Sequence, residues 1–249
     1  TSEAGSVDSG TPVPDSATAM PAVLVYAVTK TDLFSLDVVS KTLAHVVSFS
    51  ACGTNSDDIA IDGTGQFLIL EKNDGIYKVD PTTGACTARQ VLSENTDSTN
   101  KIGARANGTL QIIALNDGNN NIYSIDPSTG TTTEINGTAL PDDGDYDFVC
   151  SKTGTCWGAF DHSKCSAGAS STCLYSFADD GGVNAVSLGA IGVHPAGLAY
   201  ANGTLYSFGD NGSITAIALS GTPTASTFSL TLAGGTTQPG QWFGAASAP

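Results

Sequence analysis

The stretch IYKVDPTTG, Ile76 to Gly84, returns almost unchanged as IYSIDPSTG, Ile122 to Gly130, and this repetition limits the fold more than any other feature of the chain. Weaker copies begin at Leu33 (LFSLD), Leu174 (LYSFA) and Ile214 (ITAIA), so successive copies start 43, 46, 52 and 40 residues apart. Periods of this length mark units that stack because none can bury its apolar face alone. Each copy alternates along a strand, and two of them run into Asp-Pro-x-Thr-Gly. There Pro presets φ and Gly takes a positive-φ position, so the unit reads as a strand followed by a tight turn.

Composition agrees with an all-β chain. Charged residues make up only 13% of the 249 positions while Gly reaches 29, which suits short strands and tight turns and argues against long amphipathic helices. A repeat running nearly end to end favours one large domain over two. With 24 acidic against 9 basic residues and a formal charge of −15, nucleic acid and anionic membranes are both repelled. The six cysteines show no zinc-type CxxC spacing, and they sit where hairpins can join them, which points to an oxidising compartment and an exported chain. No apolar run reaches the roughly 20 residues of a transmembrane helix.

Residues 1–21 carry Ser, Thr, Gly, Ala, Pro and Asp with almost no large apolar side chain and are expected to be a disordered tether. That segment resembles the one following the lipidated cysteine of bacterial lipoproteins, and a plain secretion linker fits it equally well. The domain is expected to span residues 22–249. Its first unit gives three strands, at 23–29, 33–39 and 43–50. The second gives four, at 58–62, 66–72, 76–80 and 86–92. The third gives 101–105, 110–116, 122–126 and 131–135, and the fourth 146–150, 156–160, 174–178 and 184–190. The fifth gives 196–200, 205–210, 214–219 and 226–232. Glycine turns (DGTG, ANGT, KTGT, ANGT) separate the first two strands of the last four units. One strand remains, QWFGAAS at 241–247, with the character of the first strand that the first unit lacks. The expectation is a five-bladed β-propeller of four-stranded antiparallel blades, closed by the C-terminal strand joining the N-terminal blade, which removes two exposed sheet edges.

On these residues the chain resembles secreted propellers whose blades carry an LY-x-ID-P-x-TG consensus, similar to YncE-like and NHL-type repeats. The resemblance covers residues 22–249; its motif is one of blade geometry and brings no catalytic residue with it.

Spacing in the primary structure predicts three disulfides. Cys150–Cys156 flanks the SKTGT turn, Cys165–Cys173 closes a short insert, and Cys52–Cys86 follows by elimination. Tyr77 and Tyr123 occupy one register and are expected to pack between blades. Four Asn-Gly-Thr/Ser sequons, at Asn107, Asn136, Asn202 and Asn211, are open to glycosylation in a eukaryotic pathway, but hairpin-turn chemistry explains two of them directly. The acidic run Asp142, Asp143, Asp145 and Asp147 reads as a solvated loop, with a Ca²⁺ cup as the rival reading; otherwise no cofactor is expected. His45 falls in an outer strand. No GxSxG elbow, HExxH, P-loop or GxGxxG context occurs.

In a propeller the second-to-third-strand loops and the inter-blade loops share one face. That face gathers Asp58, Asp74, Lys101, Asp117, Asp161, His162, His194, Asp210 and Trp242, which are the expected ligand residues, with Trp242 as the large aromatic at the channel mouth. Asn and Asp repeated modestly around a ring favour a non-catalytic binding module for an extracellular glycan, peptide or cell-envelope protein, secreted or held at the cell surface as a monomer. The rival is a propeller hydrolase or metal-dependent lactonase working at the axial channel, for which His162 and His194 would be the base or metal ligands.

Overall fold

The structure, a computed structural model, describes residues 20–52, 56–71, 75–87, 89–93, 99–105, 112–116, 122–136, 147–161, 172–179 and 186–247. Most of the 1–21 tether therefore lies outside the described residues. The first sheet holds β1 (Leu24–Val28), β2 (Asp32–Asp37) and β3 (Thr42–Ser48). The second holds β4 (Ser56–Ile61), β5 (Phe67–Glu71), β6 (Gly75–Val79) and β7 (Gln90–Val91), and the third holds β8 (Thr99–Ala104), β9 (Ile112–Asn116), β10 (Ile122–Ile125) and β11 (Thr132–Asn136). The fourth comprises β12 (Phe148–Cys150), β13 (Thr155–Asp161), β14 (Thr172–Ala178) and β15 (Val186–Ala190), and the fifth β16 (Pro195–Ala201), β17 (Thr204–Gly209), β18 (Ile214–Ala218) and β19 (Thr224–Thr227). Two last strands, β20 (Thr231–Leu232) and β21 (Gly244–Ser247), return to the first sheet, whose order is β20-β3-β2-β1-β21. The described strands thus form one five-stranded and four four-stranded sheets, an all-β propeller fold.

Strand β21 pairs antiparallel with β1, Val25 opposite Ser247 and Val28 opposite Gly244. It lies against β4 and β16, and β4 against β8, β8 against β12, and β12 against β16. Both faces of the inner and middle strands are buried because the core is divided among neighbouring sheets. Ile59 and Ile61 pack with Leu33 and Val28 of the first sheet, whereas Ala60, between them, faces Ile102 of the third. Val149, Ala159 and Leu174 meet Leu198 and Leu205 across the fourth and fifth sheets, and Val25, Phe34 and Leu36 meet Tyr206 and Phe208 across the first and fifth. Such two-faced burial is why a strand such as β5 reads as a nearly continuous apolar run, whereas the outer strands β15 and β19 are largely exposed.

The repeat motif explains how sheets are spaced. The Asp80 carboxylate accepts from the Thr82 amide at 2.8 Å and the Thr83 hydroxyl at 2.9 Å, and Asp126 accepts from the Ser128 amide at 2.8 Å in the same way. These donors hold both carboxyls below their ordinary range. The turn glycines, Gly84 (φ 72°) and Gly130 (φ 75°), press on the preceding sheet, where a Cβ would collide with the Ser48 and Val91 carbonyl oxygens respectively. Gly is therefore demanded twice at these positions, by the backbone angle and by the close approach of a neighbour.

Two expected strands differ from the structure. Residues 226–232 do not make one strand: β19 ends at Thr227, and Thr231 and Leu232 cross to pair in parallel with Thr42 and Leu43. Phe228 and Leu230 fill the core between the first and fifth sheets, and this anchoring carries the chain across the edge of β3. The strand expected at 86–92 is reduced to Gln90–Val91 plus a single bridge between Val79 and Cys86. A short 3₁₀ turn, Ser50–Cys52, follows β3.

Cys52–Cys86 and Cys150–Cys156 are joined, with Cα separations of 5.5 and 3.9 Å. The second pair is closer than the usual range because its members are directly opposite in register. Cys173 is disulfide-bonded, and Cys165 lies outside the described residues. Tyr123 is buried and Tyr77 half-buried. Asn202 (φ 49°) and Gly203 (φ 78°) make the positive-φ hairpin turn expected of that Asn-Gly. Asn107 lies outside the described residues.

Candidate functional site

The innermost strands bring three ionisable side chains to the axis. Asp58 on β4, Lys101 on β8 and Asp147 before β12 each precede an apolar residue (Ile59, Ile102, Phe148), and all three are buried. Asp58 Oδ1 accepts from the Ile59 amide and Oδ2 from the Ile102 amide of the next sheet, both at 2.7 Å. Asp147 repeats the arrangement one pair of sheets on, taking the Phe148 amide at 2.7 Å and the Leu198 amide. Lys101 Nζ crosses the axis to donate to the carbonyls of Ala196 at 3.2 Å and Phe243 at 3.3 Å. Together the three side chains tie the inner strands of all five sheets. A Cβ on Gly244 would collide with Asp58, which explains why β21 begins with glycine.

Burial pushes the Asp58 carboxyl well above its usual range, and the negative charge of Asp147 adds to the rise while Lys101 and the two amides offset part of it. Burial likewise pushes Asp147 up to about 7 against the pull of Lys101. Two buried carboxyls under the influence of one ammonium favour the protonated form, and the three buried side chains form a plug across the axis.

Above the plug the axis widens into a cavity of about 660 Å³. The inner strands line it at Ile59 and Ile61, Ile102 and Ala104, Phe148 and Val149, Tyr200 and Ala245, and of these side chains all but Ala104 and Tyr200 are buried between the sheets. Its rim is formed by the turns between first and second strands, with Gly63, Arg105, Ser151, Lys152, Thr153 and Asn202, joined by Ser247 at the end of β21. The Cys150–Cys156 disulfide clamps the turn that carries Lys152. The Ser247 hydroxyl accepts from the Tyr200 amide at 2.7 Å and so fastens β21 to β16 at the rim. The Tyr200 ring stacks on Trp157, centroids 4.6 Å apart.

This cavity opens at the opposite end of the axis from the face expected to carry a ligand. Of the residues expected there, Asp74, Asp117 and His162 lie outside the described residues, and Asp161 is the last residue of β13. His194 is exposed, its Nδ1 3.1 Å from the Thr172 hydroxyl, and Asp210 is exposed in the turn after β17. Asp58 and Lys101 belong to the plug and are not at an open mouth. Trp242 is a correction: it is fully buried, edge-on to Phe34 and Phe208 at 5.3 Å each, with its indole N–H donated to the Gly212 carbonyl at 3.2 Å. An aromatic preceding a closing strand enters the core between sheets, and no face of it remains for a ligand. Asp147 is a second correction. It was expected in a solvated loop with Asp142, Asp143 and Asp145, but it is buried, while the other three lie outside the described residues. Its signal was present in register, since Asp58-Ile59, Lys101-Ile102 and Asp147-Phe148 align in three units. Arg105, at the end of the strand expected at 101–105, and Lys152 were not among the expected ligand residues.

Among the described residues no group of three His, Cys, Asp or Glu side chains is gathered to hold a metal, and no helix is long and apolar enough to cross a membrane. The disulfides and the lack of such a helix are compatible with an extracellular protein. His45 in β3 pairs with Asp32 at 3.1 Å, far from the axis.

No protein-family model and no curated protein matches the chain. Solved structures match its fold. A chain of a nidogen/laminin complex superposes with a TM-score of 0.57 at 13% identity, over 92% of this chain and 99% of that one. A protein of unknown function from Bacteroides thetaiotaomicron gives 0.55 at 12% identity, over 88% and 60%. An auxiliary nutrient binding protein from Bacteroides ovatus gives 0.51 at 15% identity, over 80% and 53%. At these identities the likeness is one of fold, and it agrees with the propeller resemblance read from the repeats.

Proposed function

We propose that the protein is an exported, non-catalytic binding module: a five-bladed ring closed by β21 that receives a glycan, a peptide or a cell-envelope partner at its axial cavity. The observation that carries this reading is the cavity itself, a concavity lined by the inner strands and rimmed by a few polar side chains, the usual place of a ligand site. The buried carboxyls beneath it are occupied by backbone amides of two sheets each, a holding role rather than a reactive one. Among the solved structures of like fold, one is described as an auxiliary nutrient binding protein and another comes from a nidogen/laminin complex, which is consistent with binding.

Glycan and peptide array screening of the wild type beside Ala104→Phe, which adds bulk within the cavity lining, tests the proposal. A hit lost in the variant supports it; a hit that survives an equally folded variant counts against the cavity. Ring closure is tested separately by deleting residues 241–249, which should abolish the cooperative melt; an unchanged melt would sink closure by β21.

A further inference from the structure

Because most side chains of the inner strands lie between the sheets, what those strands turn to the axis is backbone. In four of the sheets the strand at the axis, β4, β8, β12 or β16, is an edge strand, paired on one side only. The latches fix which of its residues face inward: Ile59, Ile102, Phe148 and Leu198 give their amides to Asp58 and Asp147 and not to their own sheets. In an antiparallel ladder the residue two places on faces the same way, which turns the N–H and C=O groups of Ile61, Ala104, Cys150 and Tyr200 toward the cavity they line. The Asp62 and Ser151 amides, one place further, bond back to Gln66 and Thr155 of their own sheets, as that alternation requires. The Tyr200 amide is taken by the Ser247 hydroxyl. Among the described residues no backbone–backbone hydrogen bond ties these four strands to one another.

Each of these strands turns in a single residue between its latch and its turn. That is too short to pair with an extended peptide, and it sets donors and acceptors around a ring instead. The group that answers such a ring is the hydroxyl, which donates and accepts at once. Charge has no part in it, since the ionisable groups beneath are spent on amides and carbonyls. We infer that the axial cavity takes a neutral sugar residue, its hydroxyls bonded to the backbone N–H and C=O groups of Ile61, Ala104 and Cys150. This rests on the cavity being the binding site, and it chooses the sugar among the ligand classes. Ser247, whose hydroxyl accepts from Tyr200, keeps its proton to donate at the same rim.

The test titrates the methyl glycosides of glucose, galactose, mannose and N-acetylglucosamine into the isotope-labelled full chain, beside cyclohexylmethanol, a ring of similar size that lacks the ring hydroxyls. A saturating sugar should shift the Ile61, Ala104 and Cys150 amides and slow their hydrogen exchange, and cyclohexylmethanol should bind at least about tenfold more weakly. The sugar affinity should be the same at low and high salt and in Lys152→Gln, at an exposed rim position. Ala104→Pro removes one inward-facing donor without taking a bond from the ladder of its own sheet, and should weaken the sugar about tenfold. Should that variant melt early, exchange at the wild-type Ala104 amide decides, and an amide left unprotected by a saturating sugar counts against the inference. Cavity shifts with cyclohexylmethanol bound as tightly as the sugars, or a sugar affinity that falls with salt or in Lys152→Gln, would overturn the inference and leave the cavity as a site. No saturable binding of any of the sugars would overturn it too, while the array screen against Ala104→Phe decides the site by itself. Shifts confined to another part of the chain would overturn both.

Discussion

Asp58→Ala is the substitution from which the geometry makes the most quantitative demand. In the wild type the two oxygens of Asp58 satisfy the Ile59 and Ile102 amides at 2.7 Å each, in a place from which water is excluded. Alanine leaves both amides unmet, at about 1–3 kcal/mol apiece, and leaves Lys101 with one carboxyl fewer to balance it. Breaking a buried ionic group in this way costs about 3–5 kcal/mol in total. For a chain of this size each kcal/mol moves Tm by about 2–4 °C, so the melt should fall by roughly 6–20 °C. Asp58→Asn should destabilise too, although it is nearly isosteric. Whichever way the amide turns, one of the two backbone N–H groups faces an NH₂ where it had an oxygen. Urea denaturation with the m-value compared across wild type, Asp58→Asn and Asp58→Ala reads these costs directly. A loss below about 1 kcal/mol for Asp58→Ala would refute the claim that this side chain latches the second sheet to the third.

Two further perturbations follow from the same contacts. Asp58 and Asp147 keep protons in the folded chain at pH values where the unfolded chain has released them. Between about pH 4 and about pH 7 the folded state binds more protons, and stability should fall as pH rises through that window. Unfolding free energies from urea denaturation near pH 5 and pH 8 should differ by a few kcal/mol, and Asp147→Asn should flatten the slope; a rise in stability across the window would contradict the raised carboxyls. Asp32 and Asp37, held low, act with the opposite sign and only at the acid end. Trp242→Ala should cost about 3–5 kcal/mol in calorimetry, because it empties a packed site between the first and fifth sheets; a melt near that of the wild type would return Trp242 to the list of candidate ligand residues.

The inner and middle strands were legible in the sequence because they are buried on both faces, so their apolar runs survive whatever the loops do, and because the Asp-Pro-x-Thr-Gly turn recurs in two successive sheets. The exchange of β20 was not legible. Nothing in STFSLTL distinguishes a straight strand from one in which Phe228 and Leu230 anchor a crossing, since both patterns alternate. Trp242 failed for a similar reason: two residues ahead of β21, an indole looks the same in a list of residues whether it enters a core or a channel. The formal −15 says nothing of where single cations fall, and the placement of Arg105 and Lys152 on the cavity depends on the turns after β8 and β12, which no local motif marks. Asp147 was hidden inside an acidic run, and only its alignment with Asp58 and Lys101 marks it as a buried latch.

The most direct test of the account is a crystal structure of the full chain soaked with whichever ligand the array screen returns. The account predicts intact ligand in the axial cavity, touching Ile61, Ala104 and Cys150, with Asp58, Lys101 and Asp147 unchanged beneath it. Density at the opposite end, beside His194 and Asp210, or a cleaved product in place of the ligand, would contradict it.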